Sequence, residues 1–298
     1  MTRLRTNWIS AIPHGMEAYG QRVRALTGLD ARALAARAAR RMDAVFSFGL
    51  DASLLEADAL ARVKAAFVRV TTGEGVLGGF DEAVAAIASY YGPSVFVPAE
   101  ADVDGLYQAA ARGADLVILA DDRRFLALNL RTGCVCENDM STAFGYAEAL
   151  AAMAERARGL PEPEGLAGED VLVLGAGPVG RYAMQALAAC GAKVFVYDKD
   201  EGKTRDACGG GGVAKSEIGR FCYLLDATNE GGWLSTEMLH PEALIAAPGV
   251  PPSLDKTASG VYNNRIFADP LETGTIVMLA GAIARKSMGC GSDGSQGL

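Results

Sequence analysis

A chain of 298 residues, half of them apolar and 21% charged, is long enough to bury two cores of ordinary domain size, so two domains are expected. Its formal net charge of −8 argues against nucleic acid or an anionic membrane surface as partner, since both need cationic protein surface to neutralise phosphate. No apolar run is long enough to span a bilayer, and no signal-peptide core follows Arg3 and Arg5. A cytoplasmic protein with a small-molecule partner is the expectation, and a homodimer stays open.

Six cysteines, Cys134, Cys136, Cys190, Cys208, Cys222 and Cys290, are spread without CxxC spacing, and the only histidines are His14 and His240. No metal is expected, and the thiols read as reduced and structural. In chain order, the Ala/Arg-rich run from Ala31 to Ala44 predicts a helix with its arginines on a solvated face. Phe67–Val70 reads as a strand, Asp81–Tyr91 as a helix, Val95–Val97 as a strand, Asp104–Arg112 as a helix and Leu116–Leu119 as a strand. That alternation predicts a parallel sheet with helical crossovers. Ser141–Arg158 predicts a long helix, and the Pro/Gly-rich stretch Gly159–Gly165 marks the boundary. The fold class is α/β: an N-terminal α/β substrate domain over 1–160, then a C-terminal NAD-binding Rossmann domain over 166–298.

In the second domain the expected strands are Val171–Leu174, Lys193–Tyr197, Cys222–Asp226 and Ala243–Ala246, with Ile276–Ala284 as a closing helix. The glycines from Gly209 to Gly212 read as a flexible loop, and the chain from Gly289 as a tail.

Val171–Leu174 runs directly into Gly175-Ala-Gly-Pro-Val-Gly180 and then an amphipathic run from Arg181 to Ala189. Gly175 permits a tight turn, Gly177 lets a pyrophosphate approach the backbone, and Gly180 lets helix and strand pack closely. Pro178 and Val179 fall at the helix start, whose unpaired N–H groups face the phosphates. The next strand ends in Asp198, where a carboxylate can accept from the ribose hydroxyls and repel a 2′-phosphate, which favours NAD over NADP. Lys199 next door, with Lys203 beyond, would tolerate a phosphate, and FAD uses the same fingerprint. Two later loops, Asp226–Asn229 and Ala247–Val250, follow strands on the same edge, so Thr228 and Pro248 are expected on the nicotinamide side. Plain turn chemistry is the alternative for both.

Three first-domain segments carry more than a fold signal: Val70-Thr-Thr-Gly-Glu-Gly-Val-Leu-Gly-Gly-Phe80, Asp102-Val-Asp-Gly-Leu-Tyr107, and Ile118-Leu-Ala-Asp-Asp-Arg-Arg-Phe-Leu-Ala-Leu-Asn-Leu130. They resemble the PylD family of NAD-dependent pyrrolysine synthases. Thr27–Asp30, Gly175–Gly180, Ala247–Pro251 and Asp269–Gly274 fall in that family's order, whereas the stretch from about Ala31 to Ala65 looks longer and the chain beyond Lys286 has no clear counterpart.

The resemblance implies the last step of pyrrolysine biosynthesis. The substrate would be a lysine acylated on its side-chain nitrogen by 3-methylornithine, oxidised at the ornithine's terminal amine, with loss of ammonia and closure of a pyrroline ring. An alkyl ammonium, with a pKa near about 10.4, must lose a proton before it gives up hydride. A buried carboxylate that holds the amine and stabilises the developing iminium would meet that need. Asp121 follows the strand Leu116–Leu119 at its carboxyl end and is the candidate catalytic residue; capping is its alternative, and Asp122 reads as a helix cap. Val70, Thr71 and Thr72 at the end of the Phe67–Val70 strand are expected to bind substrate, with Phe80 as an apolar wall or a core aromatic. The resemblance also places Leu4 near the substrate, on an N-terminal lid. The competing readings are an imine or opine dehydrogenase with another amine substrate, and a module that senses NAD without turnover.

Overall fold

The computed structural model describes residues 6–72, 78–208 and 212–286, so the expectations for Leu4, for residues 209–211 and for the tail from Gly289 fall outside the described residues. The chain opens with α1 (Thr6–Ile9), α2 (Ile12–Thr27), α3 (Ala31–Phe46) and the single turn α4 (Ala57–Leu60). Gly28 ends α2 in left-handed backbone (φ 77°), and Asp30 caps α3 by accepting from Ala33 N at 2.8 Å.

The first sheet is built from β1 (Lys64–Arg69), α5 (Phe80–Tyr91), β2 (Ser94–Phe96), α6 (Asp102–Ala111), β3 (Leu116–Ala120), β4 (Phe125–Asn129) and β5 (Val135–Glu137). Its strand order is β2-β1-β3-β4-β5, parallel across β2, β1 and β3 but antiparallel from β3 onward. The expected all-parallel sheet, with a helix after Asp122, is therefore corrected to a mixed one in which β3 turns back on itself. Asp121 N donates to Arg124 O at 2.9 Å and closes the turn. The residues after it, Phe125-Leu-Ala-Leu-Asn129, then pair along β3 from Ala120 back to Leu116.

The second unit runs α7 (Asn138–Arg158), β6 (Asp170–Leu174), α8 (Pro178–Ala189), β7 (Lys193–Tyr197), α9 (Glu201–Cys208), β8 (Tyr223–Asp226), β9 (Leu244–Ala246), α10 (Lys256–Val261), β10 (Ile266–Phe267) and α11 (Glu272–Ala284). All five strands are parallel in the order β10-β9-β8-β6-β7, a doubly wound sheet whose strand order reverses between β6 and β8. A ligand crevice is expected beyond the carboxyl ends of those two strands.

Two helices, α7 and α11, tie the sheets together. α7, which leaves the first sheet, packs on α8, β8, β9 and β10, whereas α11, which leaves the second, packs on α3, α5, β4 and β5 as well as α7. One continuous apolar core results, containing Phe67 and Ile118 of the first sheet, Val173 and Leu225 of the second, and Leu150 and Ile276 between them. A second core, with Leu172, Leu224, Phe221 and Tyr262, covers the other face of the second sheet. Among the described residues, no helix is long and apolar enough to cross a membrane.

The solvated arginine face expected for α3 holds at Arg32 and Arg40, which are exposed, but is corrected at Arg37 and Arg41. Arg37 is only 7% exposed and bonds Glu148 at 2.9 Å and both carboxylate oxygens of Glu155 at 2.8 and 2.9 Å. Arg41 reaches Glu148 at 2.6 Å and Ala189 O, at the end of α8, at 2.8 Å. Glu148 and Glu155 stand two turns apart on one face of α7, so their charges draw the guanidiniums inward and tie α3, α7 and α8 together. Burial beside Glu148 pushes the neighbouring Cys190 thiol up to about 12.

Candidate active site

Two corners of the molecule carry the candidate residues. The first lies where the sheet order reverses. Gly175 has φ 92° and donates its N–H to Tyr197 O at 2.8 Å. A Cβ on Gly180 would stand 1.9 Å from Gly175 O, so only glycine allows helix and turn to approach this closely. At Gly177 a Cβ would meet nothing within 4 Å, so the protein itself makes no demand for glycine there, and that side of the turn is open to a ligand. Pro178 and Val179 form the first turn of α8, with Gly177 as its N-cap.

Asp198 reaches across to this turn: Oδ2 accepts from Ala176 N at 2.8 Å and Oδ1 from Asp200 N at 2.9 Å. Each oxygen keeps a further lone pair for a sugar hydroxyl. Lys199 is turned onto Glu230, Nζ to Oε2 2.7 Å, and that bond holds its ammonium pKa above the usual range.

On the strand beside it, Asp226 is fully buried and receives four bonds: Thr228 N at 3.2 Å, Thr228 Oγ1 at 2.8 Å, and Ser253 N and Oγ, both at 2.8 Å. Burial raises its pKa while these donors pull it down. The Thr228 hydroxyl thus clamps its own loop. A Cβ on Gly249 would lie 1.9 Å from Thr228 O, so the Pro248–Gly249 loop rests directly on Thr228, as the sequence expectation grouped them. The Asp226–Ser253 clamp itself escaped the sequence reading; its only signal was an acid closing an apolar strand.

The second corner lies at the carboxyl ends of β1 and β3. Val70 is half-buried, and Thr71 and Thr72 are exposed. Thr71 N donates to Asp102 Oδ1 at 2.9 Å and its hydroxyl to Asp102 Oδ2, so α6 holds this threonine in place. Phe80 is 9% exposed and sits edge-on between Phe67 and Phe125, with ring centroids 5.9 and 5.5 Å away. It is a core aromatic one layer behind Phe125.

Asp121 is exposed, not buried as expected. Its Oδ1 accepts from Arg123 N and Arg124 N, both at 2.7 Å. Those two amides lower its pKa, so it stands as a carboxylate at neutral pH. Beside it a cavity of about 340 Å³ is lined by Arg123, Arg124, Phe125, Glu137 and Asp139. Arg124 pairs with Glu137, and burial together with the Glu137 charge raises the Asp139 pKa.

Between the corners, the starts of α7 and α11 meet. A Cβ on Gly274 would stand 2.2 Å from Thr142 Oγ1 and 2.9 Å from Asn138 Nδ2. Thr273 donates to both oxygens of Asp269, from N at 3.0 Å and Oγ1 at 2.6 Å, and Tyr19 OH lies 3.0 Å from Thr273 Oγ1. Burial and the Asp269 charge push Glu272 up to about 8, and burial raises Asp269 as well. Neither Asn138 nor this carboxyl pair was singled out from sequence, because their neighbours come from opposite ends of the chain.

Comparison with known proteins adds the following. Residues 9–136 match the family model described as the N-terminal domain of pyrrolysine biosynthesis protein PylD. The chain is 32% identical over 219 residues to pyrrolysine synthase of Methanosarcina barkeri, covering 72% of this chain and 80% of that one. It is 31% identical over 219 residues to pyrrolysine synthase of Methanosarcina acetivorans, covering 72% and 81%. Among solved structures, Thermus thermophilus shikimate 5-dehydrogenase in complex with NADP(H) and shikimate has a TM-score of 0.47 at 18% identity, covering 73% of this chain and 91% of that one.

Proposed function

The chain belongs to the pyrrolysine synthase family, and from that premise we propose that it oxidises the terminal amine of 3-methylornithyl-N6-lysine with NAD, releases ammonia and closes the ring to pyrrolysine. The observation that carries this reading is the crevice between β6 and β8, with an open face at Gly177 and a carboxylate, Asp198, on its rim. Those features fit a dinucleotide: the turn Gly175–Gly180 and the start of α8 suit the pyrophosphate, Asp198 the ribose hydroxyls, and the Thr228 and Pro248 loops the nicotinamide side. When bound, the dinucleotide supplies the hydride acceptor.

The substrate corner supplies charge and enclosure. Carboxylates at Asp121, Glu137 and Asp139 attract the ammonium to the cavity mouth. Asp139, whose pKa is raised, is better suited than Asp121 to take the ammonium proton. Asp121, held ionised, stabilises the positive charge that develops as the amine becomes an iminium. Water then adds to the iminium carbon and ammonia leaves. The aldehyde condenses with the ornithine α-amine, expelling one water. Val70, Thr71 and Thr72 wall the acyl chain, with Phe80 backing that wall from behind Phe125.

Mixing the purified protein, NAD and the lysine–methylornithine amide should produce NADH absorbance, and one ammonia per NADH. NAD binding without NADH would overturn the enzymatic reading.

A further inference from the structure

The first sheet is finished on one face only. Its inner face, with Ile118, Ala127 and Cys136, packs into the continuous core. On the outer face α6 lies across β1, where Gly105 and Ala109 let it come close to Ala66 and Val68, and its packing there extends to β2 and β3. β4 and β5 continue beyond it. Leu126 stands opposite Leu119 and Glu137, and Leu128 opposite Val117 and Val135, so these side chains share the outer face. A solvated face of antiparallel sheet carries polar residues. This strip instead presents Leu126, Leu128 and Val135, the last 41% exposed.

Beside the strip α6 raises a second apolar surface. Val103, Leu106 and Tyr107, at helical spacing, point away from the sheet, with Val103 79% and Tyr107 73% exposed. Of the eight large apolar side chains exposed among the described residues, these three, Leu130 and Val135 all belong to this one sheet and its helix. Single apolar residues on a surface need no explanation, whereas a cluster marks a place of association.

A second copy of the chain is the occupant that fits. A ridge standing beside a bare strip is self-complementary: half a turn about an axis parallel to the strands lays each ridge on the other copy's strip. That rotation keeps the strand ends in register. α6 begins at the carboxyl end of the sheet, where Asp102 holds Thr71, so Asp104 in its first turn falls near the other copy's β3–β4 turn, which carries Arg123 and Arg124. Opposite charges meet at that end. A phosphate-rich partner suits a chain of net charge −8 poorly. Lys286, the last described residue, lies beside Cys134 at the start of β5, but the twelve residues after it include four glycines and only Met288, Cys290 and Leu298 as apolar side chains.

We propose that the outer face of the first sheet is a two-fold interface between copies of this chain, with α6 of each copy lying on β4 and β5 of the other. Arg123, Arg124 and Glu137 line the cavity beside Asp121, so the interface borders that cavity.

Sedimentation equilibrium of the full chain tests this, and the native protein should read twice the chain mass at micromolar concentration. Tyr107→Glu and Val135→Lys should each raise the dimer Kd by about a hundredfold or more, because each places an unpaired charge at two symmetric contacts. Mixing the two variants in equal amounts should restore a dimer, since one contact then brings a carboxylate to an ammonium and the other stays native. Val261→Glu, the same kind of change at an exposed residue of α10, should leave association as it was. All three sites are exposed, and thermal melting checks that each variant remains folded. A monomeric native chain, a dimer that survives both variants, or variants that stay apart on mixing would overturn the interface. A monomer that dimerises only when the chain is ended at Lys286 would overturn it too, and would assign the face to the chain's own last residues.

Discussion

The two corners are built on different principles. The corner between β6 and β8 is made almost wholly of backbone: a glycine turn, a helix start, and one carboxylate that bonds the turn at 2.8 Å. The corner beside β3 is made of side chains brought from a hairpin and from the start of α7, with the start of α11, about 150 residues further along the chain, packed against that helix start. A dinucleotide is the same in every enzyme that uses it, so a local chain pattern suffices to cradle it. A substrate is particular, and on the reading proposed above its site is assembled by tertiary packing.

If the corners act separately, a change at one should spare the other. Asp121→Asn is the strongest such test. The carboxamide oxygen can still accept from Arg123 N and Arg124 N, so the β3–β4 turn survives while the charge is lost. Turnover should fall about a hundredfold or more, the scale of a lost charge-stabilising group, with the Kd for NAD unchanged. Fluorescence titration of NAD and steady-state rates check this. Unchanged turnover would leave Asp121 as the lock of its hairpin only.

This division also explains what was legible in the sequence. Val171 to Asp198 displays its strand, turn, helix and acid in one contiguous stretch, and the structure places each where spacing predicts. Asp121 was found because it ends an apolar strand, yet its surroundings were misread. A short segment after a strand is ambiguous between helix and returning strand until its partner is known, and Phe125–Asn129 finds that partner in β3 itself. Arg37 was placed in water because composition alone does not reveal that Glu148 and Glu155 lie across from it on α7. Asn138 had no local signal, and Glu272 stood out only as part of the segment Asp269–Gly274; the neighbours that give each its surroundings lie on the other helix or at the start of the chain.

The junction of α7 and α11 should also give the substrate side a pH dependence of its own. Glu272, pushed up to about 8, holds a proton in the folded protein that the unfolded chain releases near about 4.3. Stability contributed by that proton is therefore lost as pH climbs from the lower value to the upper one, and levels off beyond. Glu272→Gln is neutral throughout, so its Tm should decline less across that window and exceed the native value at its alkaline end. Parallel melting curves for the two proteins would refute the raised carboxyl. Asp269, raised in the same direction, accounts for whatever slope remains.

The smallest effect expected is on the cofactor side, where it sharpens how far backbone alone selects the ligand. Asp198→Ala removes both the ribose acceptor and the bond to Ala176 N, so affinity for NAD should drop while the ratio of NADP to NAD use rises, by about tenfold for a repulsion of this kind. Lys199 would not contribute fully, because Glu230 holds it at 2.7 Å. Adding Glu230→Gln frees that ammonium to meet a 2′-phosphate. Both partners are exposed, so the additional gain should be no more than about a few-fold and should vanish at high salt. Rates with each cofactor at low and high ionic strength decide it: a preference that stays put in both variants would mean that the turn and helix start, rather than Asp198, choose between the two dinucleotides.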